Sequence, residues 1–204
     1  FLGKDLQLTA VSAAIRSTSN RHEVSDLSFR TFGGTGAGTI AITRTPDRET
    51  LIDAGIRWDN MNLSEIGRKF AFEKDAQGAI TGRLDFNTIA NRKNTLNGKG
   101  VIGLRNGQLF NVPIFGPLSL PLGTVLGKQY SHEQARDASA TFVLENGVIL
   151  TKDLLTSTTS TTFVGEGSID LNNQQARVTR VAMHVNAGNY STSNTKRVAS
   201  GRCI

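Results

Sequence analysis

Apolar residues recur at every second position in run after run of this chain, and no other feature constrains its fold as tightly. Leu6, Leu8 and Ala10 alternate with polar neighbours, as do Leu27 and Phe29, Ile40 and Ile42, Leu84 and Phe86, and Ile102 and Leu104. The pattern continues through Phe142 and Leu144, Val148 and Leu150, Ile169 and Leu171, and Val181, Met183 and Val185. A period of two turns one side of an extended chain toward an apolar surface and the other toward water, so each run reads as a half-buried strand. Threonines on many intervening positions suit the solvent face of a pleated strand.

Turn chemistry falls between the runs. Asn106-Gly107 and Asn146-Gly147 are two-residue hairpin signals, because both central residues of a type I′ turn need positive φ. Gln77-Gly78 and Asn172-Asn173 are weaker punctuation of the same kind. No crossover helices alternate with the strands, which predicts an antiparallel meander. The form G-x-G-x-I-x-aliphatic recurs at Gly36 to Ile42, Gly98 to Leu104 and Gly165 to Leu171, with a shorter version from Gly82 to Phe86. Such recurrence predicts a repetitive, elongated sheet. Glycines at the strand entrance permit a bulge or the close approach of a covering element.

Two segments break the alternation. Asn62 and Glu65 have capping-box spacing, and Leu63, Ile66 and Phe70 share a helical face, predicting a short amphipathic helix over 62–71. Leu118, Leu122, Val125 and Leu126 share another such face, predicting a second short helix over 117–127 that acts as a lid. The uncharged run from Asn106 to Gly127 is long enough to cross a bilayer. Pro113, Pro117 and Pro121 would leave backbone groups unpaired in hydrocarbon, so a buried or interfacial segment is expected. The fold expected is mainly β, an elongated, curved antiparallel sheet forming a taco-like or half-barrel groove, with two short amphipathic helices.

Chemistry is harder to find. The net charge is +6, but all 17 acidic residues precede residue 171, and the basic excess comes from Arg177, Arg180, Lys196, Arg197 and Arg202. Most of the chain therefore lacks the basic face that nucleic acid requires. Cys203 is the single cysteine, so neither an intramolecular disulfide nor a cysteine-based metal site can form. His22, His132 and His184 stand at no metal-binding spacing. No G-x-S-x-G elbow is present. The glycines from Gly33 to Gly38 lead into TIAITRTP, a strand pattern, whereas a dinucleotide loop must open a helix. Asp53 with Asp59, and Asp137 with Glu145, read as solvated strand edges, since glycosidase chemistry needs two carboxylates in one cleft. No cofactor, metal or reaction centre is expected. What remains is an apolar face, to be covered by curling, by a second sheet, or by an apolar ligand.

The stretch from Leu96 to Leu118, a G-x-G strand followed by Asn106-Gly107, an aliphatic-proline step and a short helical segment, resembles the C-terminal region of AsmA-type proteins. The match extends through Asp137 to Phe142, Glu145 to Val148, Asp153 to Leu155 and Gly165 to Leu171, over about residues 80 to 187. Residues 1–80 fit a preceding repeat, residues 81–187 the family's C-terminal repeat region, and 188–204 a disordered or artefactual tail. The resemblance, shared with the TamB and YhdP types, implies an envelope protein of diderm bacteria, anchored in the inner membrane and extending through the periplasm. It further implies non-enzymatic lipid transport or outer-membrane assembly, with phospholipid or another acyl lipid as partner, envelope proteins as further partners and no nucleic acid. The anchor is absent from this chain, whose start carries no leader and reads as excised from something longer.

On that expectation Ile40, Ile42, Leu84, Phe86, Ile102, Leu104, Phe142, Leu144, Val148, Leu150, Ile169, Leu171, Val181, Met183 and Val185 line an acyl-chain groove. A structural or interaction β-module with a closed, packed core and no ligand is the alternative, because inward-facing residues look alike whether they pack on side chains or on lipid.

Overall fold

The computed structural model describes residues 6–70, 77–107, 136–157, 161–173, 175–185, 193–196 and 201–202. The predicted second helix, with Leu118, Leu122, Val125 and Leu126, lies outside them, as does His132.

Ten long strands follow one another as an antiparallel meander: β1 Thr9–Ser17, β2 Arg21–Thr31, β3 Gly34–Arg44, β4 Thr50–Asn62, β5 Ala79–Ile89, β6 Asn97–Arg105, β7 Asp137–Glu145, β8 Val148–Ser157, β9 Thr161–Asp170 and β10 Gln175–Val185. Each pairs with its sequence neighbours, so the sheet is open, with β1 at one edge. Two short strands, β11 Ser193–Lys196 and β12 Gly201–Arg202, both pair with β10.

Asn146-Gly147 forms the predicted tight hairpin between β7 and β8, with φ of 52° and 80° and Glu145 opposite Val148. Asn106-Gly107 does not. Asn106 has the positive φ, but β6 leaves the sheet there and its neighbour β7 begins only at Asp137, joined by the Gly107 N–H to the Arg136 carbonyl at 2.7 Å. A hairpin the sequence did not announce joins β2 to β3, where Phe32 and Gly33 take φ of 48° and 71°.

The predicted first helix is α1, Leu63–Phe70. Asn62 caps it: its side-chain oxygen accepts the Ser64 N–H at 2.9 Å and the Ser64 hydroxyl at 2.7 Å. The Asn62 N–H donates to the Phe32 carbonyl at 2.7 Å, and the Leu63 N–H to the Gly78 carbonyl at 2.9 Å, fixing the helix across the strand ends. Leu63, 1% exposed, packs with Ile80, Leu104 and Ala138, and Trp58, Ile66 and Ile102 lie against this cluster. The helix thus closes one end of the sheet and leaves the remainder of that face without a covering helix among the described residues.

Five strands carry an extra residue against a neighbour, around Ala10 in β1, Asp26 in β2, Asn60 in β4, Lys152 and Asp153 in β8, and Thr179 in β10. Bulges increase local twist and re-phase the side chains that follow. At the β8 bulge the Asp153 carboxylate accepts the Thr141 N–H at 2.9 Å, the Thr141 hydroxyl at 2.6 Å and the Thr151 hydroxyl at 3.2 Å, so the interrupted ladder is repaired by a side chain.

Candidate apolar ligand face

Residues directly opposite one another in an antiparallel ladder share a face. One unbroken rung therefore crosses all ten long strands: Ile15, Val24, Ile40, Ala54, Phe86, Gly98, Leu144, Ile149, Ile169 and Ala176. Every position in it is apolar. A second row on the same face runs from Met61 through Ile80, Leu104, Ala138 and Thr156 to Phe163, and α1 packs on its Ile80, Leu104 and Ala138 through Leu63. The opposite face carries a polar rung, Arg16, Glu23, Ala41, Asp53, Asn87 and Asn97.

Of the residues singled out by alternation, Ile40, Ile42, Leu84, Phe86, Ile102, Leu104, Phe142, Leu144 and Ile169 come together on the apolar face. Val181, Met183 and Val185 stand opposite Gly165, Phe163 and Thr161, the register positions of that face. Val148 and Leu150 do not join them: they pair with Glu145 and Val143 on the polar side, and Ile149 takes the apolar position. Leu171 lies past the end of β9, in the turn to β10. Sequence alternation passed over Ile52, Ala54, Ile56 and Trp58 of β4, which share the apolar face. The adjacent Leu51 and Ile52 blur the two-residue period there, and the Asn60 bulge shifts its phase.

The recurring glycines have a steric role. Phe29 lies across Gly36, Trp58 across Gly82 and Phe142 across Gly100, each ring reaching its register partner where any Cβ would collide with it. Pairing an aromatic with a cross-strand glycine lets the ring cover the exposed backbone. Toward β1 the face is open to solvent, with Val11 55%, Ile15 74% and Ile42 38% exposed.

Two hollows lie on the polar side, one of about 750 Å³ bounded by Glu23, Thr39, Asp53, Asp85 and Lys99, and one of about 330 Å³ bounded by Ser28, Thr35, Arg57 and Asp59. Arg21 pairs with Glu23 at 2.6 Å and Arg83 with Asp85 at 2.9 Å, both solvated. Such exposed pairs contribute little to stability. Burial pushes the Asp153 carboxyl up, but the Thr141 hydroxyl and amide, the Thr151 hydroxyl and its own amide together hold it below its ordinary value. His22 stands at the start of β2, its Nδ1 3.1 Å from the Ser17 hydroxyl. Among the described residues no three His, Cys, Asp or Glu side chains group as metal ligands, and no helix is long and apolar enough to cross a membrane. No family model, no curated protein and no solved structure matches the chain.

Proposed function

We propose that this sheet is a non-enzymatic lipid-binding module, carrying phospholipid acyl chains along its apolar face in lipid transport or outer-membrane assembly. The observation behind this reading is the all-apolar rung from Ile15 to Ala176, which continues to the open β1 edge. Moving a Val, Leu, Ile or Phe side chain fully out of water is worth about 1.5–3 kcal/mol, so a row of them holds an acyl chain with no directional contact. A twisted sheet curls about its own diagonal, and the curved groove proposed here follows that curl on the apolar side. The setting is the one the AsmA resemblance implies: the periplasm, as part of an inner-membrane-anchored protein. Mass spectrometry of the purified chain tests the reading. Co-purified phospholipid, lost with acidic substitutions on the apolar face, supports it, and a lipid-free protein that takes up no apolar dye defeats it.

The β1 edge favours a second reading, a structural or interaction module. All nine β1 residues are exposed, and a strand of that length whose outer edge has no partner among the described residues is a template for another chain. On that reading the apolar face is covered by protein, and dye uptake is absent.

A further inference from the structure

A cleft of about 850 Å³ opens where the Phe32-Gly33 turn meets α1, next to the smaller hollow of the polar face, with which it shares Arg30 and Thr35. Its position follows from the hydrogen bond between the Asn62 N–H and the Phe32 carbonyl, which fastens the helix start to the turn. Glu65, Arg68 and Lys69, at i, i+3 and i+4, line it from the helix, and Arg30 and Thr35 line it from the strands. Spacing of this kind normally yields an ion pair on the helix surface. Here Glu65 is drawn toward the turn, with Oε1 3.4 Å from where a Gly33 Cβ would stand. Among the described residues Arg30, Arg68 and Lys69 have no carboxylate within pairing distance. Among the described residues that line the cleft, three cations stand against one acid, and Asp59 lies in the adjoining hollow beside Arg57. The larger hollow on the polar face is the contrast: Glu23, Asp53 and Asp85 outnumber Arg21 and Lys99 there, and Arg21 is tied to Glu23.

We propose that this cleft binds a phosphate-bearing anion. Two guanidinium forks offer paired N–H donors that match phosphate oxygens, the lysine adds a point charge, and the Thr35 hydroxyl a neutral donor. The helix that supplies Arg68 and Lys69 also covers one end of the apolar face through Leu63 and Ile66, so the cleft lies at the rim of that face. That placement rests on the lipid reading above and makes the ligand an anionic phospholipid. Free phosphate offers the same oxygens.

The full chain is titrated with inorganic phosphate, followed by amide NMR shifts, and with vesicles of phosphatidylcholine alone or mixed with phosphatidylglycerol. The double variant Arg30→Gln/Arg68→Gln is compared with Lys99→Gln/Arg105→Gln, which removes the same charge from the polar face. All four side chains are on exposed residues, and equal melting temperatures confirm that both variants fold. The proposal expects the cleft variant alone to lose about tenfold or more in affinity for phosphatidylglycerol vesicles. Phosphate shifts at Gly33, Thr35 and Arg68 without any vesicle preference support the cleft with free phosphate as its source, and count against the lipid reading alone. Equal losses in the two double variants, or no response to either phosphate source, overturn the proposal. In that case acyl binding to neutral phosphatidylcholine still decides the lipid reading separately.

Discussion

Trp58 of β4 stands directly opposite Gly82 of β5, and its indole lies across the space a Gly82 side chain would fill, with Cζ2 2.5 Å from the ideal Cβ position. The Val101 carbonyl closes the same space from β6 at 2.6 Å. Gly82→Ala must therefore displace the ring or the backbone. Overpacking of this kind costs about 1–3 kcal/mol. Because Trp58 is the chain's single tryptophan, the substitution is expected to shift the emission spectrum along with the unfolding midpoint.

The two faces predict different responses to a new charge. Ile15 and Ile42 are 74% and 38% exposed on the apolar face, and Val101 is 48% exposed on the polar one. Ile15→Glu combined with Ile42→Glu is expected to abolish apolar-dye uptake at little cost in stability, whereas Val101→Glu leaves uptake unchanged. Dye titration of the three proteins checks it, and equal loss from both faces contradicts the assignment.

The helix end is predicted to be the stability anchor. Leu63→Ala empties a site that is 1% exposed and should cost about 2–5 kcal/mol. Asn62→Ala removes only the cap and should cost about 1 kcal/mol. Chemical denaturation gives both numbers, and amide exchange in α1 should rise for the cap variant before the strands respond.

Asp153 makes a pH prediction. Its carboxyl lies below the ordinary 3.8 in the folded chain, so the stability it adds is complete above 3.8 and is lost as pH falls from there through the lower folded value. Asp153→Asn, which cannot ionise, is expected to flatten the acid limb of the stability curve. Thr141→Val, which removes the strongest hydroxyl donor, should flatten it in part. Urea midpoints across the acid range measure both.

How much of this was legible depends on local chemistry. Asn146-Gly147 names its own turn because both residues accept positive φ, and Asn62 names a helix start because its side chain bonds the backbone two residues on. Asn106-Gly107 carries the same letters, but a hairpin also needs the next strand to return at once, which dipeptide chemistry does not encode. Val148 and Leu150 were misplaced because V-I-L offers apolar residues to both faces, and the Lys152-Asp153 bulge resets the phase within the same strand. The G-x-G strands were visible as a repeat. Their reason, rings reaching in from neighbouring strands, emerges only with the register.

The central claim is that acyl chains lie on the apolar face, and Trp58 reports on that face without competition. Phospholipids brominated along the acyl chain quench only an indole that they touch. Titrated with such lipid, the wild-type chain is predicted to lose Trp58 emission saturably, and Ile15→Glu/Ile42→Glu to retain it. Trp58 emission that stays constant while the protein binds the same vesicles would show that lipid, where it binds, does so elsewhere, and the apolar face is then covered by protein.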